Sequence, residues 1–128
     1  MTDFIHHIGL QVTEEDISSF YINVLGCNVL REFTLLKEDA YLIFGILKEV
    51  DIFYTQCGNI ELELFVDKTP KAATFNHVCI HTDTVVEIVK KAQSAGFNVF
   101  TREKNDQSKT YFVSDSNHNL FEMKGNIK

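Results

Sequence analysis

Two segments of this chain spell nearly the same strand. Ile5-His6-His7-Ile8-Gly9-Leu10-Gln11-Val12-Thr13 returns seventy residues later as Phe75-Asn76-His77-Val78-Cys79-Ile80-His81-Thr82-Asp83. The correspondence continues without a gap. His7 falls on His77, Gly26 on Gly96, Asn28 on Asn98 and Val29 on Val99, while Ile8, Leu10 and Leu30 fall on Val78, Ile80 and Phe100. A fixed offset carried through strand, helix and turn signals marks an internal repeat. The chain must therefore build one small unit twice, and each copy opens on a strand that carries a histidine.

With 128 residues there is enough chain for a single domain with a real core. The copies are then half-domains: a first module over about 4–66, a linker over about 67–74 around the only proline, Pro70, and a second module over about 75–124. The net charge of −6 repels phosphate backbones, so no nucleic-acid partner is expected. No apolar run approaches the length needed to cross a bilayer, and no membrane partner is expected. The first residues lack a basic segment followed by a hydrophobic stretch, which points to a cytoplasmic protein. Cys27, Cys57 and Cys79 make an odd count without a CxxC pair. That argues against a disulfide framework and fits a reducing compartment.

Phe4 to Val12 alternates as a strand, with Ile8, Leu10 and Val12 on one face and His7, Gly9 and Gln11 on the other. Thr13 is placed to cap a helix whose first turn is acidic. Ile17, Phe20, Tyr21, Val24 and Leu25 follow at helical spacing, and Gly26 ends the helix. The period then returns to two, predicting strands near Asn28–Leu35, Ala40–Leu47, Asp51–Thr55 and Ile60–Val66, with Lys37-Glu38-Asp39 and Gly58-Asn59 as turns. The second copy reads as a strand over Asn76–Thr82 and a helix opened by a Thr84–Glu87 capping box and closed by Gly96. Strands follow near Asn98–Thr101, Thr110–Ser114 and Asn119–Met123, the last two joined by a turn over Asp115–Asn119. Both copies thus read β-α-β-β-β. The extra length in the first predicts an added strand or hairpin.

Polar residues recur at equivalent places on these strands. Glu63 lies opposite the aliphatic row Ile60, Leu62 and Leu64, and Glu122 opposite Phe121 and Met123. His7 and His77 likewise project from the side away from the aliphatic residues. If the aliphatic rows pack under the helices, the other faces curve round a shared, more polar cavity. Two imidazoles and two carboxylates meeting there are a donor set for a divalent metal. Glu61 shares the face of Glu63 and His81 that of His77, so both are rivals. His6 points to the opposite face, and His118 falls in a turn.

Taken in order, these segments resemble the vicinal oxygen chelate superfamily, which includes glyoxalase I, methylmalonyl-CoA epimerase and bleomycin-resistance-like proteins. His7-Ile8-Gly9-Leu10-Gln11-Val12 looks like its opening strand, and Phe20-Tyr21 with Leu25-Gly26 looks like its helix end. Glu63-Leu64-Phe65 is similar to its second-ligand strand and His77-Val78-Cys79-Ile80-His81-Thr82-Asp83 to its third. Asp115 to Glu122 resembles the closing DPxGNxxE, with Ser116 and His118 in place of the proline and glycine. The resemblance implies an α+β fold of two tandem βαβββ modules forming a half-open, barrel-like mixed sheet with helices outside. It implies His7, Glu63, His77 and Glu122 as ligands of one divalent metal per site (nickel, zinc, cobalt, manganese or iron), and Glu122 and Glu63 as catalytic carboxylates. The activity implied is that of a glyoxalase-type lyase, isomerase or epimerase, acting by enediolate formation on a small molecule with two neighbouring oxygens. Gln11 stands where bacterial glyoxalase I carries an arginine for glutathione carboxylates. It would contact substrate without a charge-assisted pair, against glutathione as the thiol. A homodimer is the expected assembly. The alternatives are a metal-free small-molecule binding protein and a ring-cleaving dioxygenase. The second generally needs two histidines and one carboxylate, with more open positions than a four-ligand site leaves.

Overall fold

Among the described residues, eight strands fall into two four-stranded sheets of the same strand order. The computed structural model describes residues 3–125. In the first half, β1 (Ile8–Val12), β2 (Asn28–Leu35), β3 (Val50–Cys57) and β4 (Ile60–Val66) form a sheet of order β1-β4-β3-β2. In the second, β5 (His77–His81), β6 (Asn98–Glu103), β7 (Lys109–Ser114) and β8 (Leu120–Lys124) form a sheet of order β5-β8-β7-β6. Each histidine-bearing strand runs parallel to the last strand of its own half, and the other pairings are antiparallel. The repeat in the sequence is therefore a repeat in topology. The two mixed sheets do not close into a barrel.

The first helix, α1, opens with one α turn at Glu14–Asp16 and continues as a π-helix over Ile17–Ile22. Hydrogen bonds from Asn23 N to Ser18 O and from Leu25 N to Phe20 O span five residues, as a π-helix requires. Phe20 and Tyr21, adjacent in sequence, are both fully buried. Gly26 and Gly96, equivalent in the repeat, leave their helices at φ +75° and +84°, a left-handed conformation that suits glycine. The third helix, α3 (Val85–Ser94), turns Val85, Ile88, Val89 and Ala92 inward. Neither Thr13 nor Thr84 makes the side-chain capping bond expected of it.

Two expectations are corrected. The stretch Ala40–Leu47 is not a strand. Lys37–Phe44 forms a helix, α2, with Glu38 and Asp39 in its first turn rather than in a loop, and Gly45 closes it at φ +73°. The extra length of the first half is thus a helix and its connections. The apolar residues of α2 misled the strand reading because the helix buries only Ala40 completely, so it carries no amphipathic stripe. Second, Cys27 and Cys57 are disulfide-bonded, although the odd cysteine count argued against a disulfide framework; Cys79 is free and exposed. The pair joins the chain just ahead of β2 to the end of β3. Register between neighbouring strands brings these cysteines together, and their separation of 30 residues gives no hint of it.

One hydrophobic cluster serves both halves. Phe20 and Tyr21 of α1, Leu62 and Leu64 of β4, Val85 and Ala92 of α3, and Phe121 and Met123 of β8 belong to it. Phe20 packs edge-on against Phe97 at 5.0 Å, and its ring centre lies 5.7 Å from that of Phe121. Polar ties cross the same boundary. Tyr21 donates to Asp115 at 2.7 Å, Ser116 N and Oγ donate to Asp16 at 2.6 and 2.9 Å, and Asn119 donates to the Gln11 carbonyl at 2.8 Å. The aliphatic faces look inward on this cluster and leave the opposite faces for chemistry.

Candidate metal-binding site

Strand register settles which side chains share those opposite faces. Gly9 stands beside Glu63, and Glu63 beside Tyr54, so these belong to one face of the first sheet, and His7, just ahead of β1, joins that face by its side-chain approach to Glu63. In the second sheet Cys79 stands beside Glu122, and Glu122 beside Phe112, with His77 two residues before Cys79. Each half thus brings one histidine and one carboxylate together. His7 Nε2 lies 3.6 Å from Glu63 Oε1, and His77 Nε2 lies 3.4 Å from Glu122 Oε1. The carboxylates are mostly shielded while the imidazoles are about two-fifths exposed.

These distances exceed a hydrogen bond. At bond lengths of about 2.1 Å, two donors on one cation stand about 3.0 Å apart at a right angle and about 3.4 Å apart at the tetrahedral angle; the His77–Glu122 separation matches the second and the His7–Glu63 separation is slightly wider. The second pair carries a further sign. His77 Nδ1 lies 2.9 Å from the Phe75 carbonyl, which can only accept, so Nδ1 carries the proton. In the neutral ring Nε2 then presents a lone pair towards Glu122, the arrangement that a backbone carbonyl imposes on metal-binding histidines. The Lys124 ammonium, 3.6 Å from Glu122 Oε2, balances part of the carboxylate charge. The donor set and its orientation fit a divalent metal.

The two pairs do not converge within the chain. Among the described residues, no three His, Cys, Asp or Glu side chains gather closely enough to hold an ion. The sequence left open whether the four residues meet within one chain or across two; within this chain they stand as two couples, because parity along a strand fixes the face of a side chain and not the distance to another sheet.

The rivals separate in the structure. Glu61 is engaged by other partners: its Oε2 accepts from Tyr54 Oη at 2.7 Å and lies 3.7 Å from His6 Nδ1. His81 stands across from Lys124, further along β5 than Glu122. His6 was assigned to the opposite face, yet its ring reaches Tyr54 Oη at 3.2 Å and His7 Nδ1 at 2.9 Å. The reason is that β1 begins at Ile8, so strand alternation does not govern residues ahead of it. Gln11 donates its amide to the Thr69 carbonyl at 3.0 Å, and among the described residues its side-chain oxygen accepts no hydrogen bond.

Sequence reasoning missed Tyr54 and Arg31. The Arg31 guanidinium lies 5.0 Å over the Tyr54 ring, and that ring meets His7 edge-on at 5.6 Å. Desolvation, then the bond to Glu61, raises the Tyr54 phenol above its ordinary value and keeps it protonated. Also missed was a pocket of about 230 Å³ between α2 and the site face of the first sheet. The alternation of β3 could have flagged Tyr54; no sequence signal announced the pocket.

Comparison with known proteins gives a consistent picture. The profile of the family described as Glyoxalase/Bleomycin resistance protein/Dioxygenase superfamily matches residues 4–123. No curated protein sequence matches the chain. Among solved structures, the fosfomycin resistance protein FosX from Listeria monocytogenes superposes with a TM-score of 0.74 at 14% identity, over 99% of this chain and 96% of that one. A variant of that FosX, in complex with Mn(II) and 1S,2S-dihydroxypropylphosphonic acid, gives a TM-score of 0.73 at 14% identity, over 99% and 94%. A glyoxalase family protein from Enterococcus faecalis gives 0.67 at 20% identity, over 94% and 95%.

Proposed function

The chain belongs to the glyoxalase/bleomycin resistance protein/dioxygenase superfamily, and on that premise we propose that it is a divalent-metal-dependent lyase, isomerase or epimerase acting on a small substrate with two neighbouring oxygens. The observation that carries this reading is the pair of His–Glu couples, at 3.6 and 3.4 Å, on equivalent parallel strand pairs of a repeated fold. His7, Glu63, His77 and Glu122 would hold the cation. When bound, it supplies Lewis-acid stabilisation of negative charge developing on the substrate oxygens. Glu122 acts as the base, taking a proton from the carbon next to those oxygens and returning it one atom away or on the other face. Glu63 is its counterpart in the other half. Gln11 offers its side-chain oxygen to a donor on the substrate.

Because the two couples stand apart in one chain, each site is completed by a second copy of the protein, His7 and Glu63 coming from one protomer and His77 and Glu122 from its partner. Exposed apolar side chains flank both histidines and support this assembly. Phe4 and Ile5 are each 81% exposed ahead of His7, and Phe75 is 99% exposed ahead of His77. Rings left bare at these points gain about 1.5–3 kcal/mol each when fully covered.

Elemental analysis of protein purified without chelators tests the reading. About one divalent ion per chain is expected, and His77→Ala is expected to lose it. Protein that stays metal-free after exposure to nickel, zinc, cobalt and manganese would overturn the proposal. With metal bound, methylglyoxal–thiol adducts are the first substrates to try, and full turnover by Glu122→Gln would remove that residue as the base.

A further inference from the structure

The pocket under α2 differs from the metal half-sites in its chemistry and in its origin. The connection between β2 and β3 spans residues 36–49 and contains α2, whereas the equivalent connection between β6 and β7 spans only residues 104–108. The repeat is therefore broken at one place, and the inserted helix lies over the site face of the first sheet. Ala40, fully buried, and Phe44 form its roof. Gly9 and Phe65 form the floor, and both belong to the face that carries His7 and Glu63. Phe44 meets Phe65 edge-on at 5.3 Å. At the margin, the Lys48 ammonium is paired with Asp67 at 3.1 Å.

Position makes this pocket part of the site. Gly9, on β1, follows His7 by two residues, and Phe65 follows Glu63 by two on β4. Two residues of strand span about 7 Å, so the pocket opens beside the His7–Glu63 couple, towards the ends of both strands. Gly9 leaves the Phe65 ring room: a Cβ at this position would stand 3.2 Å from it, and the ring would have to give by a few tenths of an ångström. An engineered apolar cavity of about 150 Å³ accepts benzene, so about 230 Å³ holds a phenyl ring or an alkyl chain of roughly six carbons.

We infer that this pocket is a specificity subsite that takes an apolar group of the substrate, joined by a short spacer to the oxygen pair held at the metal. The inference rests on the function proposed above and names its substrate class: a small molecule with two adjacent oxygens at one end and an aryl or medium alkyl group at the other. The lone charged feature, Lys48 with Asp67, is already neutralised and asks for no charge on that group.

Alkyl hydroxamates test it, since each presents two neighbouring oxygens and the tail length is free. Calorimetric titration of the zinc-loaded protein with acetohydroxamate and then butano-, hexano- and octanohydroxamate reads affinity without turnover. The first methylenes only bridge the gap of about 7 Å to the pocket; from there each buried methylene is expected to tighten binding about fourfold, so the gain from acetohydroxamate to octanohydroxamate, appearing with the longer tails, is expected to be about tenfold or more. Ala40→Leu, which fills the pocket from its roof, should keep acetohydroxamate affinity within about twofold and lose the gain with length. Should the buried substitution fold poorly, Phe44→Ala, at a half-exposed position, should flatten the same series. An unchanged affinity along the wild-type series, with acetohydroxamate bound, would overturn the subsite and leave the metal site standing; a partner segment occupying the pocket in the dimer would give this result. Failure of acetohydroxamate itself to bind would overturn both. A gain with length that survives in Ala40→Leu and in Phe44→Ala would place the tail elsewhere and also overturn it.

Discussion

His118 occupies the turn between β7 and β8 at φ +63°, where the related sequence pattern carries a glycine. A Cβ in that region costs about 1–2 kcal/mol. The side chain is exposed and the turn is held by others: Asp115 Oδ1 accepts from Asn117 N at 2.8 Å and from Asn119 N at 2.9 Å. His118→Gly is therefore expected to stabilise the protein by about 1 kcal/mol, less than the strain relieved because glycine loses more entropy on folding. The shift in urea midpoint reads it directly. Tyr21 behaves in the opposite way. Burial first, then the charge of Asp115, drives its phenol far above the ordinary range, so it donates a proton to Asp115 at every accessible pH. Tyr21→Phe removes a donor from a buried carboxylate and is expected to destabilise by about 1–3 kcal/mol. An unchanged denaturation midpoint would mean that Asp115 needs only its remaining partners.

At the scale of elements, the segment from β2 to β4 holds most of what is particular to this chain. Asp67, just after β4, is held below the usual carboxylate range by hydrogen bonds from Thr69 and then by the Lys48 ammonium. A depressed folded-state value means stability that is present above the ordinary value of 3.8 and is lost as the pH falls through the lower folded value. Unfolding followed from pH 6 down to pH 2 should therefore show a fall below about pH 4 that is shallower in Asp67→Asn. Equal slopes would mean that Asp67 is no better held in the fold than in the unfolded chain. The disulfide between Cys27 and Cys57 closes a loop of about 30 residues, for which chain entropy gives about 3–4 kcal/mol. Reduction is expected to lower the denaturation midpoint accordingly, and thiol titration of the native protein should find Cys79 alone reactive. Reactivity at all three cysteines without reductant would refute the pairing.

The whole molecule is a pseudosymmetric chain whose two halves share a core but keep their His–Glu couples apart. No helix among the described residues is long and apolar enough to cross a membrane. Leu42 of α2 is 80% and Ile43 64% exposed, and with Phe4, Ile5 and Phe75 they are the apolar area that the dimer proposed above would cover. Complementation tests that arrangement. His7→Ala and His77→Ala each break a couple, so neither homodimer holds a complete site. Unfolded together and refolded, the two chains form mixed dimers in which one of the two sites regains His7 from one chain and His77 from the other, and metal binding should return. If all four ligands of a site came from one chain, mixing would restore nothing.

The sequence by itself determined the features that follow from local periodicity. An offset of seventy residues gave two βαβββ halves with the same strand order. A period of two set His7 with Glu63 and His77 with Glu122 on faces away from the aliphatic rows, and glycines at equivalent places ended both outer helices. Local pattern failed where a segment's conformation depends on distant contacts. The helix α2 looked like a strand because only Ala40 is buried against the rest of the fold, so no helical stripe marks it. His6 escaped alternation because it lies outside the strand, and Cys27 met Cys57 through strand register. Tertiary structure alone decided the distances: that each histidine reaches one carboxylate, that the couples stay separate, and that an inserted helix roofs a pocket beside one of them. A side chain's face follows from the backbone period of its own strand, but its distance to a group on another element depends on how whole sheets and helices pack.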